Sequence, residues 1–411
     1  MASRVNRTHL SALYYRLLYR SSTSPPPHHE FLAYSISANS PSQRFFSAGR
    51  TEKPVSAKQS PCCAILTWYY SSTKLDAQSH ACGVQQGSRF IYEGDFEACR
   101  EFFRELYTLN YVLGTYKKLQ ISVTDGLAVG GACALTSFSH FQLASENAVF
   151  CSPETRIGFH PDAGSSFLLS CLKGSFGEYL TLTGEKLDMT DLIMTRLVQN
   201  PVQSKRLPEI LHQLHSLDTD DEEVVKNIIE AFEDGIEVDP DSFLHREEII
   251  NRIFSLEKVE DIIYALGASP LSQKLALKSI RMAREESLAE SLQREYRMSC
   301  RVIAGNISKD FYEGVRAHLI DKDHNPKWSP DYLESVSDDM VDAYFQPFIN
   351  ETEELELPLM KREGISQAAD SNLSLQAAPQ TAGEGQTEGL SGQDADVLNW
   401  AMNVSATTKE T

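Results

Sequence analysis

The first part of the chain alternates short apolar runs with turn residues and contains one long amphipathic segment. Residues 62–68 (CCAILTW) form an apolar run of strand length, and residues 88–96 (SRFIYEGDF) predict a strand that ends in a turn. From Glu97 onward the pattern predicts a helix with one buried face. Its apolar positions recur at helical spacing and are Phe102, Leu106, Leu109 and Leu113.

The next segment predicts strands and a buried helix in quick succession. Residues 120–124 (QISVT) alternate between polar and apolar positions, which predicts a strand, and the Asp125–Gly126 pair that follows is a strong turn signal. Residues 130–137 (GGACALTS) are small enough to begin a buried helix, and two further strands are predicted at residues 140–145 and 148–152. Strand, turn and buried helix in this order predict a mixed α/β core.

Helical spacing dominates the chain after about residue 190. Apolar residues recur every three to four positions in four stretches, residues 228–238, 246–254, 259–266 and 273–300. We therefore place the α/β core at residues 51–200 and a helical region at residues 201–348. Residues 349–411 carry eleven acidic and three basic residues with few large apolar ones, which predicts a disordered acidic tail.

Charge excludes some partners and indicates a location. The net charge of −19 does not suit a protein that grips nucleic acid over a broad surface, so extensive direct nucleic-acid binding is not expected. No apolar run approaches the length of a membrane span. Residues 1–50 hold six arginines, ten serines and the single acid Glu30, and this amphipathic, acid-poor start predicts a mitochondrial presequence and a place in the matrix. The alternative is an unstructured start with chance arginines.

Motif signals for metal, nucleotide or serine chemistry are missing. The eight cysteines include no CxxC pair, which favours reduced thiols over a disulfide framework. His212 and His215 lie in LHQLHSL, where a solvated helix face is the better interpretation than a zinc site, so no metal is expected. The chain has no GxSxG elbow, no P-loop and no GxGxxG fingerprint.

Two adjacent glycines at the predicted start of the buried helix allow a ligand to approach the backbone closely. The N–H groups of a helix N-terminus lack partners within the helix and carry partial positive charge. The N–H of Gly131 is therefore a candidate oxyanion donor, with Gly130 beside it as part of the binding surface. Such a donor contributes about 3–4 kcal/mol to acyl transfer. Close helix packing explains a glycine pair equally well.

Glu154 and Asp162 lie eight residues apart in a segment rich in proline and glycine, SPETRIGFHPDAG, which is typical of a shaped loop. Two carboxylates that converge on one pocket can divide acid and base work when their environments separate their pKa values. If they do not converge, they are an N-cap acid and a turn acid. His160 is a further candidate beside Asp162, although a loop histidine is usually structural.

Five blocks of this sequence closely resemble the 3-hydroxyisobutyryl-CoA hydrolases, a family of the crotonase (enoyl-CoA hydratase) superfamily. The resemblance runs from about Ala64 to Phe348 and is closest to the plant mitochondrial hydrolase-like branch, which shares GFHPDAG. The fold that it implies is α/β, a crotonase spiral of ββα units followed by a helical C-terminal region. The blocks, in family order, are residues 152–170, 177–187, 269–281, 294–299 and 311–328.

The resemblance implies a reaction and the residues that perform it. The family cleaves the thioester of 3-hydroxyisobutyryl-CoA, an intermediate of valine breakdown, to 3-hydroxyisobutyrate and free CoA. Its oxyanion-hole glycine falls on Gly131, its catalytic glutamate on Glu154 and its second acid on Asp162. Glu154 would attack the thioester carbonyl or activate water, and Asp162 would orient the substrate hydroxyl or assist proton transfer. CoA enters as part of the substrate, and no metal or redox cofactor is implied.

Three departures from the family pattern concern substrate binding. FIYEGD stands where the family has FCAGGD, whose backbone gives a second oxyanion donor and contacts CoA. This alignment assigns Ile91, Tyr92 and Gly94 to the CoA site, while the bulk of Tyr92 and the charge of Glu93 oppose CoA there. Leu106 replaces the family's substrate-binding glutamate. The NRPxxLNAL block has no counterpart, so the N-terminal part of the spiral is expected to be abbreviated.

These departures support a second interpretation from a different functional class. Some members of the hydrolase-like branch are built into the small subunit of mitochondrial ribosomes, where this chain could serve as a catalytically impaired structural protein. The retained Gly131, Glu154 and Asp162 favour the enzyme. A hydratase or isomerase of the same fold is a third interpretation, which the HPD motif and the helical C-terminal region disfavour. The sequence leaves the oligomeric state open.

Overall fold

Short strands and helices alternate through the first half of the protein. The computed structural model describes residues 64–69 and 95–359, apart from residues 117–118, 218, 220, 234, 236–241 and 263–266. The elements of this half are β1 (Ala64–Tyr69), α1 (Phe96–Gly114), β2 (Gln120–Asp125), β3 (Leu127–Val129), α2 (Gly131–Ser137), β4 (Phe141–Ala144), β5 (Val149–Cys151), α3 (Ser165–Ser170), α4 (Phe176–Thr183), α5 (Met189–Met194) and β6 (Asn200–Pro201). The predicted amphipathic helix after Glu97 and the predicted helix at the glycine pair are both confirmed.

Successive strands of this half belong to two different sheets. One sheet has the strand order β1-β2-β4-β6, and the other pairs β3 with β5; all of these pairs are parallel. Ile121 pairs with Phe141 in the first sheet, and Leu127 pairs with Val149 in the second. Each unit of two strands and a helix therefore adds one strand to each sheet, which is the ββα spiral of the crotonase fold.

The predicted strand at residues 120–124 is confirmed as β2, whose first five residues are buried and whose last residue, Asp125, is partly exposed. Its polar members Gln120, Ser122 and Thr124 are as inaccessible as its apolar ones. Their side chains reach backbone oxygens instead of water: Ser122 Oγ donates to Thr136 O at 2.7 Å, and Gln120 Nε2 donates to Leu113 O at 2.8 Å. A central strand of a parallel sheet is covered on both faces, and helices cover this one.

The second half is helical, as predicted, and packs onto the first half. One apolar cluster contains buried residues of both halves, from Cys99 in the first to Leu355 in the second. The predicted helical stretch over residues 273–300 is two helices, because residues 284–287 leave the helix and Ser287 starts the second one with a capping box to Glu290. The helices are α6 (Leu207–His215), α7 (Glu222–Glu230), α8 (Glu247–Phe254), α9 (Val259–Ile262), α10 (Pro270–Ala283), α11 (Leu288–Ala304), α12 (Asp310–Val315) and α13 (Asp338–Phe345).

The predicted acidic tail is structured where it begins, which corrects the predicted boundary after residue 348. Leu355 is 1% exposed, and Leu357 packs against the apolar cluster, whereas Ile349 is exposed. Glu354 accepts a 2.7 Å hydrogen bond from Arg297 on α11. Composition predicts disorder here because acidic residues dominate, but these acids meet arginines that belong to the folded domain.

The remaining predictions for the chain ends concern residues that the structure does not describe. The predicted presequence (residues 1–50) and the tail from residue 360 onward lie outside the described residues. In the part that is described, no helix is both long enough and apolar enough to span a bilayer.

Candidate active site

The Gly130–Gly131 turn joins β3 to α2 and lies directly against both candidate carboxylates. Gly130 has a φ of 60°, in the left-handed region that favours glycine. A Cβ on Gly130 would lie 2.9 Å from Oε1 of Glu154, and a Cβ on Gly131 would lie 3.8 Å from Oδ1 of Asp162. Because Gly131 is the first residue of α2, its N–H has no partner within the helix. The structure thus brings together all four of these sequence-predicted residues.

Glu154 is a buried carboxyl group in which one oxygen accepts a hydrogen bond and the other has no hydrogen-bond partner among the described residues. It begins a short 3-10 turn (Glu154–Ile157), in which Pro153 occupies the N-cap position, so Glu154 is not a capping residue. Its Oε2 accepts a 2.6 Å hydrogen bond from the Ser152 hydroxyl, whereas Oε1 has no hydrogen-bond partner among the described residues. Burial raises the pKa of Glu154 to about 7, although the Ser152 hydrogen bond acts against this rise.

Two close packing contacts fix the Glu154 turn against the helical half of the protein. Gly158 ends the turn, and a Cβ there would lie 2.4 Å from the backbone of Asp310. A Cβ on Gly314 in α12 would lie 2.3 Å from the carbonyl oxygen of Ile157. The C-terminal helical region therefore positions the catalytic candidate, since α12 rests on its backbone without any side chain between them.

Asp162 is equally buried, and its environment also favours the neutral carboxyl. Its Oδ2 lies 2.8 Å from the hydroxyl of Tyr107, which projects from α1. Burial raises the pKa of Asp162 well above its usual range, and the nearby charge of Glu154 raises it further. The two carboxyl groups therefore oppose each other's ionisation, which favours a state in which one is charged and the other neutral.

The loop that carries Asp162 is held in a strained conformation from two sides. Ala163 has a φ of 59°, which a residue with a side chain adopts only when its surroundings enforce it. From α1, Asn110 Nδ2 donates a 2.5 Å hydrogen bond to Ala163 O. From α11, Glu295 Oε2 accepts a 2.6 Å hydrogen bond from the Gly164 N–H. These two helices fix the direction in which Asp162 points.

His160 is a buried neutral histidine. Its ring stacks on Phe159 at a centroid distance of 4.6 Å, and burial lowers the pKa of His160 to about 3. Its Nδ1 lies 3.0 Å from Pro161 O, and its Nε2 lies 3.2 Å from the Ser299 hydroxyl. The imidazole therefore does not face Asp162 directly, and it reaches that residue through Ser299 and Tyr107.

The departures that the sequence indicates are only partly visible. Leu106 packs on the apolar core, so its side chain offers no hydrogen-bond acceptor where the family has a glutamate. Ile91, Tyr92 and Gly94, which the resemblance assigns to CoA binding, lie outside the described residues.

Sequence reasoning missed four residues that surround the carboxyl groups. Ser152, Tyr107, Glu295 and Ser299 supply the contacts described above. Three of them had a usable signal, since Ser152 belongs to the block at residues 152–170, and Glu295 and Ser299 belong to the REYRMS block. That block was noted only as evidence of resemblance, because the spacing in the chain does not show that it meets residues 160–166.

Histidine and cysteine side chains are the remaining candidates among the described residues. The described residues contain no group of three or more His, Cys, Asp or Glu side chains that could hold a metal ion. His212 and His215 are exposed on α6, the solvated face that their pattern predicts. The cysteines of this part of the chain are free thiols, as predicted, and are Cys99, Cys133, Cys151, Cys171 and Cys300.

Comparison with known proteins places this fold and site in a class. A carnitinyl-CoA dehydratase from Mycobacterium thermoresistibile shares the fold with a TM-score of 0.60 at 23% identity, over 72% of this chain and 96% of that chain. The enoyl-CoA hydratase/isomerase family model matches residues 83–345. The protein is therefore of the crotonase class.

Curated relatives narrow the class. Probable 3-hydroxyisobutyryl-CoA hydrolase 2 of Arabidopsis thaliana is 40% identical over 292 residues, 66% of this chain and 77% of the relative. The mitochondrial 3-hydroxyisobutyryl-CoA hydrolase of Xenopus tropicalis is 36% identical over 289 residues, 63% of this chain and 74% of the relative. Small ribosomal subunit protein mS47 of Arabidopsis thaliana is 40% identical over 296 residues, which are 66% of this chain and 72% of the relative. The chain belongs to the enoyl-CoA hydratase/isomerase family and, within it, to the 3-hydroxyisobutyryl-CoA hydrolases.

Proposed function

We propose that this protein hydrolyses the thioester of 3-hydroxyisobutyryl-CoA to 3-hydroxyisobutyrate and CoA. The observation that carries the proposal is the Oε1 atom of Glu154, which is buried, has no hydrogen-bond partner among the described residues and lies beside Gly130. Leaving a buried carboxyl oxygen unpaired is unfavourable by about 1–3 kcal/mol or more, so a substrate or an attacking water is its natural partner. The names of the relatives supply the substrate class.

In this mechanism Glu154 supplies the reactive carboxylate. With a pKa of about 7, a large share of Glu154 is ionised near neutral pH. The carboxylate attacks the thioester carbon or takes a proton from a water that does so. The N–H of Gly131 donates to the carbonyl oxygen as negative charge develops on it. The C–S bond then breaks and the CoA sulfur takes up a proton, while water supplies the second oxygen of the product acid.

Asp162 serves the same reaction as a neutral carboxyl group. Burial and the nearby charge of Glu154 both raise the pKa of Asp162, so ionisation of Glu154 favours a proton on Asp162. In this state Asp162 can hydrogen-bond the substrate hydroxyl or assist proton transfer without adding a second negative charge beside Gly131. CoA is part of the substrate in this scheme and not a resident cofactor.

The test is release of free thiol from 3-hydroxyisobutyryl-CoA by the purified full chain. We expect turnover by the parent and a loss of about 100-fold or more in Glu154→Gln, because the amide is neither a base nor a nucleophile. Glu223→Gln, an exposed position at the start of α7, is the matched control and should retain parental turnover. A folded parent that releases no thiol from this ester would refute the proposal.

A second candidate function rests on two specific observations. The chain is 40% identical to small ribosomal subunit protein mS47, and Leu106, packed on the apolar core, stands where the hydrolase family has its substrate-binding glutamate. Both support a structural protein of the mitochondrial small ribosomal subunit. Co-sedimentation of the full chain with that subunit, together with no turnover, would favour this role. The hydrolase role requires the reverse result.

Mitochondrial names among the relatives support a mitochondrial location, and the Arg-rich start of the chain supports import into the matrix. Import of the full chain into isolated mitochondria, followed by protease protection after rupture of the outer membrane, tests this location. Accessibility to protease in those ruptured organelles would contradict a matrix site.

A further inference from the structure

We infer that Tyr107, Ser299 and His160 are positioning residues that hold Asp162 as a neutral carboxyl with its proton on Oδ2. They do so through one directed hydrogen-bond chain that ends at the carbonyl oxygen of Pro161. This inference rests on the proposed hydrolase function, and it assigns that site a proton-holding network in addition to its carboxyl groups.

The direction of the chain follows from counting hydrogens, starting at its fixed end. Pro161 O is a carbonyl oxygen and can only accept, so the 3.0 Å contact with His160 Nδ1 requires the hydrogen to be on Nδ1. A neutral imidazole carries one N–H, so Nε2 of His160 is an acceptor. The 3.2 Å contact between Nε2 and Ser299 Oγ therefore uses the only hydroxyl hydrogen of Ser299.

The same count continues to Asp162. Because the Ser299 hydrogen is committed to His160, the 2.7 Å contact between the Ser299 and Tyr107 hydroxyls uses the hydrogen of Tyr107. Tyr107 then has no hydrogen left for Asp162, so the 2.8 Å contact between Tyr107 Oη and Asp162 Oδ2 requires the hydrogen to be on Asp162. Every contact in the chain is satisfied in this arrangement, and no other neutral arrangement satisfies them all.

Because these groups are buried, water cannot replace any of the hydrogen bonds in this count. Tyr107, His160 and Ser299 are each 0% exposed, so their hydroxyl and imidazole groups are satisfied by one another. An ionised Asp162 would reverse the chain and point the lone pair of His160 Nδ1 at the Pro161 carbonyl oxygen. Avoiding that contact would require a charged imidazole, which this environment disfavours.

The charged groups around the chain act in the same direction. Glu154 faces Asp162 from the 3-10 turn and Glu295 faces it from α11, and both raise the pKa of Asp162 in addition to the effect of burial. Burial lowers the pKa of His160 to about 3, and the charge of Arg294 on α11 contributes to this lowering. Asp162 is therefore disfavoured as an anion and His160 as a cation.

A neutral Asp162 has a direct use at this site. Its Oδ1 lies 3.8 Å from the position that a Cβ on Gly131 would take, so an anion there would repel the oxyanion that the Gly131 N–H receives. With the proton on Oδ2, Oδ1 remains available as a neutral acceptor, and Glu154 is the group that ionises.

The test is infrared difference spectroscopy of the full chain, in which the C=O stretch of a protonated carboxyl is assigned to Asp162 by its loss in Asp162→Asn. We expect this band in the parent at pH 7. In Ser299→Ala the Tyr107 hydrogen is free to turn toward Asp162 and stabilise the anion, so the pH at which half of the band disappears should fall by about one unit. In His160→Phe, Ser299 donates to Tyr107 and the same fall is expected.

Tyr107→Phe is the discriminating background, because it removes the hydrogen that Ser299→Ala frees. Adding Ser299→Ala to Tyr107→Phe should cause no further fall, unlike Ser299→Ala in the parent. Absence of the band in the parent at pH 7, no fall in Ser299→Ala, or the same fall when Ser299→Ala is added to Tyr107→Phe would each overturn the inference. The spectrum needs no turnover, so a folded chain that lacks thiol release but keeps the band would refute the hydrolase function and leave the assignment of the Asp162 proton intact.

Discussion

Two apolar cores lie within the described part of the protein, and the difference between them separates stability from function. The smaller core lies between β2, β4 and helices α6 and α7, and its buried members are apolar, among them Ile121, Leu143, Ile210 and Ile229. The larger core surrounds Glu154, Asp162 and Glu295, whose burial disfavours ionisation. Burial of apolar groups stabilises the fold, whereas burial of groups that must ionise opposes it above their unperturbed pKa.

Gly130→Ala should produce the largest effect, because it disturbs the site directly. The added Cβ would sit at a φ of 60° and 2.9 Å from Glu154 Oε1, so Glu154 must move. Misplacement of a reacting group by about 1 Å can lower the rate by about 100-fold. We therefore expect at least that loss of thiol-release activity, together with about 1–2 kcal/mol of destabilisation from the left-handed backbone.

Gly267→Ala is the matched control for this substitution. Gly267 has a φ of 65°, nearly that of Gly130, but a Cβ there would meet nothing within 4 Å. The free energy of unfolding of Gly267→Ala should fall by about as much as that of Gly130→Ala, while its turnover per folded molecule stays at the parental value. Equal losses of activity in the two variants would show that backbone strain, and not contact with Glu154, governs position 130.

Ile229→Ala, in the smaller core, should lower stability without lowering turnover. Ile229 is fully buried on α7, and removing its side chain should lower the free energy of unfolding by about 2–5 kcal/mol. Turnover per folded molecule should stay at the parental value, because this core contains none of the candidate groups. Val224→Ala, a half-exposed position on the same helix, should change stability by about 0.5 kcal/mol at most.

A dependence of turnover on Ile229 in molecules that remain folded would break the comparison. It would mean that the smaller core transmits strain to the site and is not only a source of stability. Chemical unfolding and thiol release measured on the same preparation distinguish the two cases.

The stability of the parent should depend on pH through Glu154. Its pKa is raised from an ordinary value of 4.5 to about 7 in the folded state, so the folded protein holds this proton more tightly than the unfolded chain does. The stability that the folded protein has with Glu154 protonated is fully present below pH 4.5 and is lost as pH rises through about 7. Glu154→Gln should thus be more stable than the parent at pH 8, by up to about 3 kcal/mol, and similar to it near pH 4.5.

The activity of the parent should change with pH in the opposite sense, since turnover needs the ionised Glu154 and should rise through about pH 7. Denaturant unfolding at several pH values, with the variant beside the parent, measures the stability difference. A difference in the free energy of unfolding between parent and Glu154→Gln that does not change with pH would show that folding does not raise the pKa of Glu154.

The elements that the sequence predicts well are those specified by neighbouring residues. Helix α1 follows from apolar spacing, and the start of α2 follows from the pair Gly130–Gly131. Glu154 and Asp162 were selected as candidates because one short segment carries both. Periodicity and turn chemistry are local properties, and for these features local properties suffice.

The features that the sequence did not predict depend on contacts between distant segments. Asp162 meets Tyr107 across 55 residues, and His160 meets Ser299 across 139. The burial of Gln120, Ser122 and Thr124 in β2 depends likewise on the helices that cover the strand, and not on its own alternation. One sequence without its fold cannot show which hydroxyl groups will surround a carboxyl group.

The smallest expected effect concerns the segment that composition assigned to a disordered tail. Arg100 on α1 donates a 3.0 Å hydrogen bond to Glu353, with 26% and 39% of these side chains exposed. Exposed ion pairs contribute about 0–1 kcal/mol, so Glu353→Gln should lower the free energy of unfolding by less than about 1 kcal/mol and leave turnover unchanged. Leu355→Ala, which empties a buried position two residues later, should cost several-fold more.

If Glu353→Gln instead destabilised the protein as much as Leu355→Ala, the acids of this segment and not its leucine would attach it to the core. The segment would then differ in kind from both cores, because screened charges would hold it, and its attachment would weaken at high salt. Repeating the two unfolding measurements in about 1 M salt decides this, since burial of Leu355 is insensitive to screening and the Arg100–Glu353 pair is not.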